Sequence, residues 1–183
     1  MRRWKRIGVQ EMLRKITIVF LTLICFLLET TVFKSFALAG IVPKLTIILT
    51  SSFGFMRGET EGMCIGFLCG LLCDVFYGDV LGFYALILTY IGYVNGKFSR
   101  IFYPEDIKLP IALIIVSDLS YGVLCYILLF LLRGRFDFLY YFTRVILPET
   151  LYTIVVTVVL YPLILKINQV IEKREKGSGQ KFV

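Results

Sequence analysis

Four carboxylates stand where carboxylates are costly. Glu29, Asp74, Asp118 and Glu149 each fall inside a long apolar run. An ionisable group in hydrocarbon costs at least ~2.5 kcal/mol unless it is paired or hydrated. Acids so placed either pair internally and fix helix register, or line a cavity for a ligand or a partner. Proton-coupled chemistry is the boldest reading, and little else supports it. The chain has no His, so the usual relay and general base are absent, and no nucleophile is placed beside a base. Five cysteines, Cys25, Cys64, Cys69, Cys73 and Cys125, also lie in apolar runs. Cys69 and Cys73 are one helical turn apart, but in such a setting they read as small hydrophobes, not as a metal site or a disulfide. No catalytic residue, metal or cofactor is expected.

The most specific spacing is elsewhere. Gly66, Gly70, Asp74, Gly78 and Gly82 recur every four residues. On a helix the first three share one face. Glycines there let another helix approach closely, and the acid can hydrogen-bond across the contact. Such a face either packs inside the bundle or receives a partner.

The elements that position these residues follow from composition. The chain has 183 residues, 58% hydrophobic and 18% charged. Soluble domains run near half apolar and a quarter charged, so the excess must face lipid or a partner. A bilayer core needs roughly 20 apolar residues of helix. Runs at 16–33, 45–56, 63–77, 81–94, 109–132 and 145–167 predict six membrane helices, or four or five where the short second, third and fourth runs do not all cross. They lack the alternation that barrel strands require. The first run is too long for a cleavable signal and lacks a small-residue cleavage site. The expected organisation is a basic cytoplasmic or interfacial segment (1–15), a six-helix domain (16–168) and a basic flexible tail (169–183).

Of the 20 Lys and Arg, 15 fall on the side of the two termini and 5 on the other. Positive residues mark the cytoplasmic side, so both termini are expected there. Glu29, Asp74 and Glu149 then approach the outer side, with Asp118 in the inner half of the fifth span. An outer polar cluster of Glu29, Asp74, Glu149, Tyr152 and Arg144 is expected, with Lys34, Lys44, Arg133 and Arg135 on the same side. Pro148 fits a first helical turn, where its missing donor costs nothing. The third run, 63–77, spans roughly 22 Å as helix. That is short of the hydrocarbon thickness, so either the Gly78–Gly82 turn dips into the membrane or the helices tilt and thin the bilayer. At the N-terminus, Trp4, Ile7, Met12 and Leu13 among Arg2, Arg3, Lys5, Arg6, Arg14 and Lys15 suit anionic headgroups, or simply anchor the topology.

The stretch from Gly66 to Leu86, with Gly70, Asp74, Gly78, Gly82 and Ala85, resembles the signature of the rod shape-determining protein MreD family. So do Ile91-Gly92-Tyr93-Val94-Asn95-Gly96-Lys97, Val42-Pro43, Arg57-Gly58, Leu147-Pro148-Glu149-Thr150-Leu151-Tyr152 and Tyr161-Pro162. The chain departs from the pattern at Thr153, where Asn is expected, and at Glu149, where a small or neutral residue is more usual. The resemblance implies a multi-pass protein of the bacterial cytoplasmic (inner) membrane. It implies a non-enzymatic scaffold for cell shape and lateral peptidoglycan synthesis. The implied direct partner is MreC, through membrane and juxtamembrane contacts. MreB and the elongation-specific transpeptidase/glycosyltransferase pair are indirect partners, membrane lipid surrounds the protein, and no nucleic acid is involved. Gly66, Gly70, Asp74, Gly78, Gly82 and Gly92 are the candidate partner-binding or helix-packing residues. The family also implies an all-α six-helix fold similar to substrate-binding subunits of energy-coupling-factor transporters. A vitamin-binding subunit of that kind is the rival reading. Against it, Ala37, Ala39, Ala85 and Ala112 lack the Ala-xxx-Ala spacing such docking needs.

Overall fold

A computed structural model describes residues 2–37, 40–78, 81–101, 107–128 and 138–179. The described residues are 91% helix, and no strand occurs among them. α1 (Arg2–Leu27) passes directly into a π-helical stretch, Leu28–Phe33. α2 (Leu45–Arg57), α3 (Glu59–Tyr77), α4 (Phe83–Lys97) and α5 (Lys108–Tyr126) follow. The last rod is α6 (Phe138–Tyr141), a π-helical turn Phe142–Ile146, and α7 (Leu147–Gly179).

α2 is the core. Every residue from Leu45 to Phe55 is buried, including Thr46, Thr50, Ser51 and Ser52. It touches α1, α3, α4, α5 and α7. A helix enclosed by protein need not match the bilayer thickness, and 13 residues give only about 20 Å. The outer helices show the opposite pattern. Leu151, Val155, Val159 and Leu163 form an exposed apolar stripe along α7, and Ile16, Val19, Phe20, Leu23 and Leu27 do so on α1. Such stripes are unsuited to water and suit lipid.

Among the described residues, four segments are long and apolar enough to cross a membrane: Arg14–Phe33, Glu59–Tyr77, Lys108–Tyr126 and Phe138–Glu172. The other two expected spans are helical but shorter, α2 at 13 residues and α4 at 15. The fifth run was expected to reach residue 132, and residues 129–137 lie outside the described set.

One local expectation changes. Pro148 does not open a helix, because the helix has already begun at Phe138. A π turn precedes it, in which the Leu147 N–H bonds to the Phe142 carbonyl. That wider turn lets a residue without an N–H enter a continuing helix. At the two ends, α1 runs unbroken from Arg2 into the apolar run, and α7 continues as far as Gly179.

Candidate functional site

The tightest contact joins α3 to α4, and it explains the glycine spacing. A methyl group on Gly62, Gly66 or Gly70 would overlap the backbone of Gly92, Leu88 or Ala85, and one on Gly92 would overlap Gly62. The two helices therefore touch backbone to backbone, which only glycine permits. Gly66, Gly70 and Gly92 all belong to this internal contact. Gly62 and Gly96 extend it, the latter against Glu59.

Asp74 completes the hairpin. Its carboxylate accepts N–H bonds from Tyr84 (2.7 Å), Gly82 (3.0 Å) and Ala85 (3.1 Å). These are donors of the first turn of α4, which otherwise lack intrahelical partners. The side chain is only 3% exposed. A carboxylate at a helix N-terminus also meets the positive end of the dipole. Gly82 is the N-cap residue, at φ +100°, a left-handed conformation that favours glycine, and the space beside it is open. Gly78 is in extended conformation, its N–H bonded to the Asp74 carbonyl (3.0 Å), and a Cβ there would crowd Asp74. Asp79 and Val80, within this turn, lie outside the described residues.

A polar cluster forms, with members other than those expected. Its centre is Lys44, just ahead of α2. Lys44 Nζ pairs with Glu149 Oε1 at 2.9 Å and sits 4.0 Å above the Tyr121 ring. The Lys44 backbone N–H donates to Thr153 Oγ1 at 3.3 Å. Glu149 and Thr153 thus meet at Lys44. Glu29 lies in the first π stretch and accepts the Thr46 N–H of α2's first turn (2.9 Å). Asp118 lies mid-helix on α5, buried, beside Thr150 and within electrostatic reach of Lys44 and Glu149. Asp118 was expected apart from the other acids and Asp74 among them; the structure reverses this. Lys44 lies within electrostatic reach of Asp118, while Asp74 turns toward α4. Tyr152 stays at the edge of the group, its hydroxyl donating to the Phe36 carbonyl at 3.4 Å and its ring set edge-on to Phe33. Arg144 is exposed on the last rod and has no ion pair to any of the four acids.

Two further polar contacts escaped the sequence reading. Asn95 Nδ2 donates to Ser117 Oγ (2.7 Å), Ser51 Oγ (3.4 Å) and the Ile91 carbonyl (2.9 Å), joining α4, α5 and α2. Glu61 pairs with Arg14 (3.2 Å) and Arg57 (3.8 Å), and Arg57 Nε donates to Asn168 Oδ1. That group ties α1, α2, α3 and α7. Asn95 could have been suspected from its place directly after the 81–94 run; Glu61 falls between the 45–56 and 63–77 runs, where an acid draws no attention.

These groups link helices to one another. All five thiols are free, and four of them are buried. Among the described residues, no group of three or more His, Cys, Asp or Glu could hold a metal ion. The arrangement builds a multi-pass membrane bundle. No curated protein and no solved structure matches the chain. The family model described as rod shape-determining protein MreD matches residues 10–171, nearly the whole bundle. The glycine and Asp74 signature that shapes the α3–α4 hairpin lies inside that match, and the chain belongs to the MreD family of rod shape-determining proteins.

Proposed function

We propose that this protein is a non-enzymatic scaffold of the bacterial elongation machinery, lying in the cytoplasmic membrane with six spans and both termini in the cytoplasm. It binds MreC directly and so connects MreB and the elongation-specific transpeptidase/glycosyltransferase pair to lateral wall synthesis. The observation that carries this reading is the family match over residues 10–171. The internal pairing of Asp74, Lys44, Glu149 and Asn95 supports a scaffold over a catalyst, because polar groups spent on helix register are not free for chemistry. The transporter-subunit alternative gains no support from the match.

The partner surface belongs to the turn end of the α3–α4 hairpin, around Asp74 and Gly82. Gly66, Gly70 and Gly92 are used up between the two helices, so they act on a partner through the hairpin's shape. Asp74, Gly78 and Gly82 act the same way, by fixing the start of α4. The test is pulldown of MreC from membranes by Asp74→Leu and Gly78→Leu, at matched levels of inserted protein. Both variants are expected to recover less MreC than the unmodified chain. Undiminished recovery by both sinks the site assignment.

A further inference from the structure

We propose that the exposed face of the α3–α4 hairpin binds an anionic phospholipid, with an acyl chain along the groove between the helices and the phosphate at Lys97. The groove encloses about 530 Å³ and is lined by Met63 and Phe67 of α3 and Leu86, Thr89, Tyr90 and Tyr93 of α4. That volume lies within the ~300–1,000 Å³ usual for ligand sites.

The lining argues for a lipid chain over a second helix. Close helix docking needs small residues at the surface and polar groups free to bond across it. Here Gly62, Gly66, Gly70, Gly92 and Gly96 are all turned toward the opposite helix of the hairpin. The Thr89 hydroxyl is taken by the Ala85 carbonyl at 2.6 Å. What remains outside is long and adaptable: Met63, Phe67, Leu86 and Tyr90 are all exposed. Flexible apolar side chains fit a flexible chain, and they hold a neighbouring helix at a distance.

Charge supplies the other half. At one end of the groove Lys97 Nζ lies 4.6 Å from the centre of the Tyr93 ring. The ring steadies an ammonium that is otherwise fully exposed. Arg100, also exposed, follows within one turn. Glu59 is the acid within electrostatic reach of Lys97, and it sits at the start of α3. A tyrosine and a lysine where an apolar groove meets a helix end match the boundary between acyl chains and headgroups. The phosphate of an anionic lipid complements that end.

The test uses the full chain in mild detergent. Native mass spectrometry compares retained phosphatidylglycerol and phosphatidylcholine of the same acyl composition. The unmodified protein is expected to prefer phosphatidylglycerol. Lys97→Gln, an exposed change that leaves the packing alone, is expected to cut that preference about fivefold, the equivalent of one surface cation. Phosphatidylglycerol with a photoactivatable acyl chain is expected to crosslink to peptides holding Met63, Phe67 or Tyr90. An unchanged preference in Lys97→Gln would overturn the proposal, since the basic ends of the chain would then account for it. Crosslinks recovered only from other helices would overturn it as well.

Discussion

Replacing Asp74 should cost more than any other single polar change in the α3–α4 hairpin. The carboxylate accepts three backbone N–H groups at 2.7–3.1 Å while 3% exposed. Hydrogen bonds to a charged group contribute ~1.5–3 kcal/mol each, and a buried donor left without a partner costs a further ~1–3 kcal/mol. These terms overlap, and removing one member of a buried charged group costs ~3–5 kcal/mol in practice. We therefore expect Asp74→Leu to lose about 3–5 kcal/mol, well above the ~0.5–2 kcal/mol of an ordinary exposed cap. Asp74→Asn keeps one acceptor oxygen but turns an NH2 group toward backbone donors, and should lose about 2–3 kcal/mol. The assay is denaturant unfolding in detergent, read by a thiol-reactive fluorophore. Cys25, Cys69, Cys73 and Cys125 are buried, while Cys64 is exposed and is removed as Cys64→Ser. Thr60→Ala, on the exposed side of α3, is the reference. An Asp74→Leu protein within ~1 kcal/mol of that reference would refute the capping argument, because no buried network of this kind is lost so cheaply.

Two other changes probe the packing and the ion pair. Gly92→Leu should cost at least ~3 kcal/mol and expose Cys69, which is now 0% exposed, because the side chain would meet the Gly62 backbone and not a movable side chain; a Cys69 as protected as before would count against it. Lys44→Met should cost about 3 kcal/mol by stranding Glu149, and adding Glu149→Leu should restore most of that loss, since an apolar pair replaces a mostly buried ion pair at little cost; a double variant no more stable than the single would refute the coupling, as a double-mutant cycle reports directly.

The helical, membrane-spanning character was legible because apolar runs and positive residues act over whole segments, and no tertiary detail overrides them. The glycine register was equally legible, since a four-residue repeat defines one helix face wherever the helix lies. Its target was not. The same face could have met a partner, and only the placement of α4 shows Ala85, Leu88 and Gly92 filling it. Asp74 was visible as a costly acid, yet its role depends on donors eight to eleven residues later in the chain. The expected outer cluster was legible in part. Glu29 and Glu149 do gather near Lys44, but position along a span does not say which donor an acid meets: Asp118 lies within reach of Lys44, and Asp74 caps α4.

The sequence by itself determined that the chain is an all-helical membrane protein, where its apolar runs fall, and which family it resembles. Those properties sum over many residues, and burial of apolar surface fixes them. The tertiary structure decided which charges pair and which glycine faces meet, and that α2 is short because it is enclosed. Such contacts depend on residues more than a hundred positions apart, as between Lys44 and Thr153 or Arg57 and Asn168. Local pattern carries no information about that separation, because the pairing energy exists only once the helices are packed.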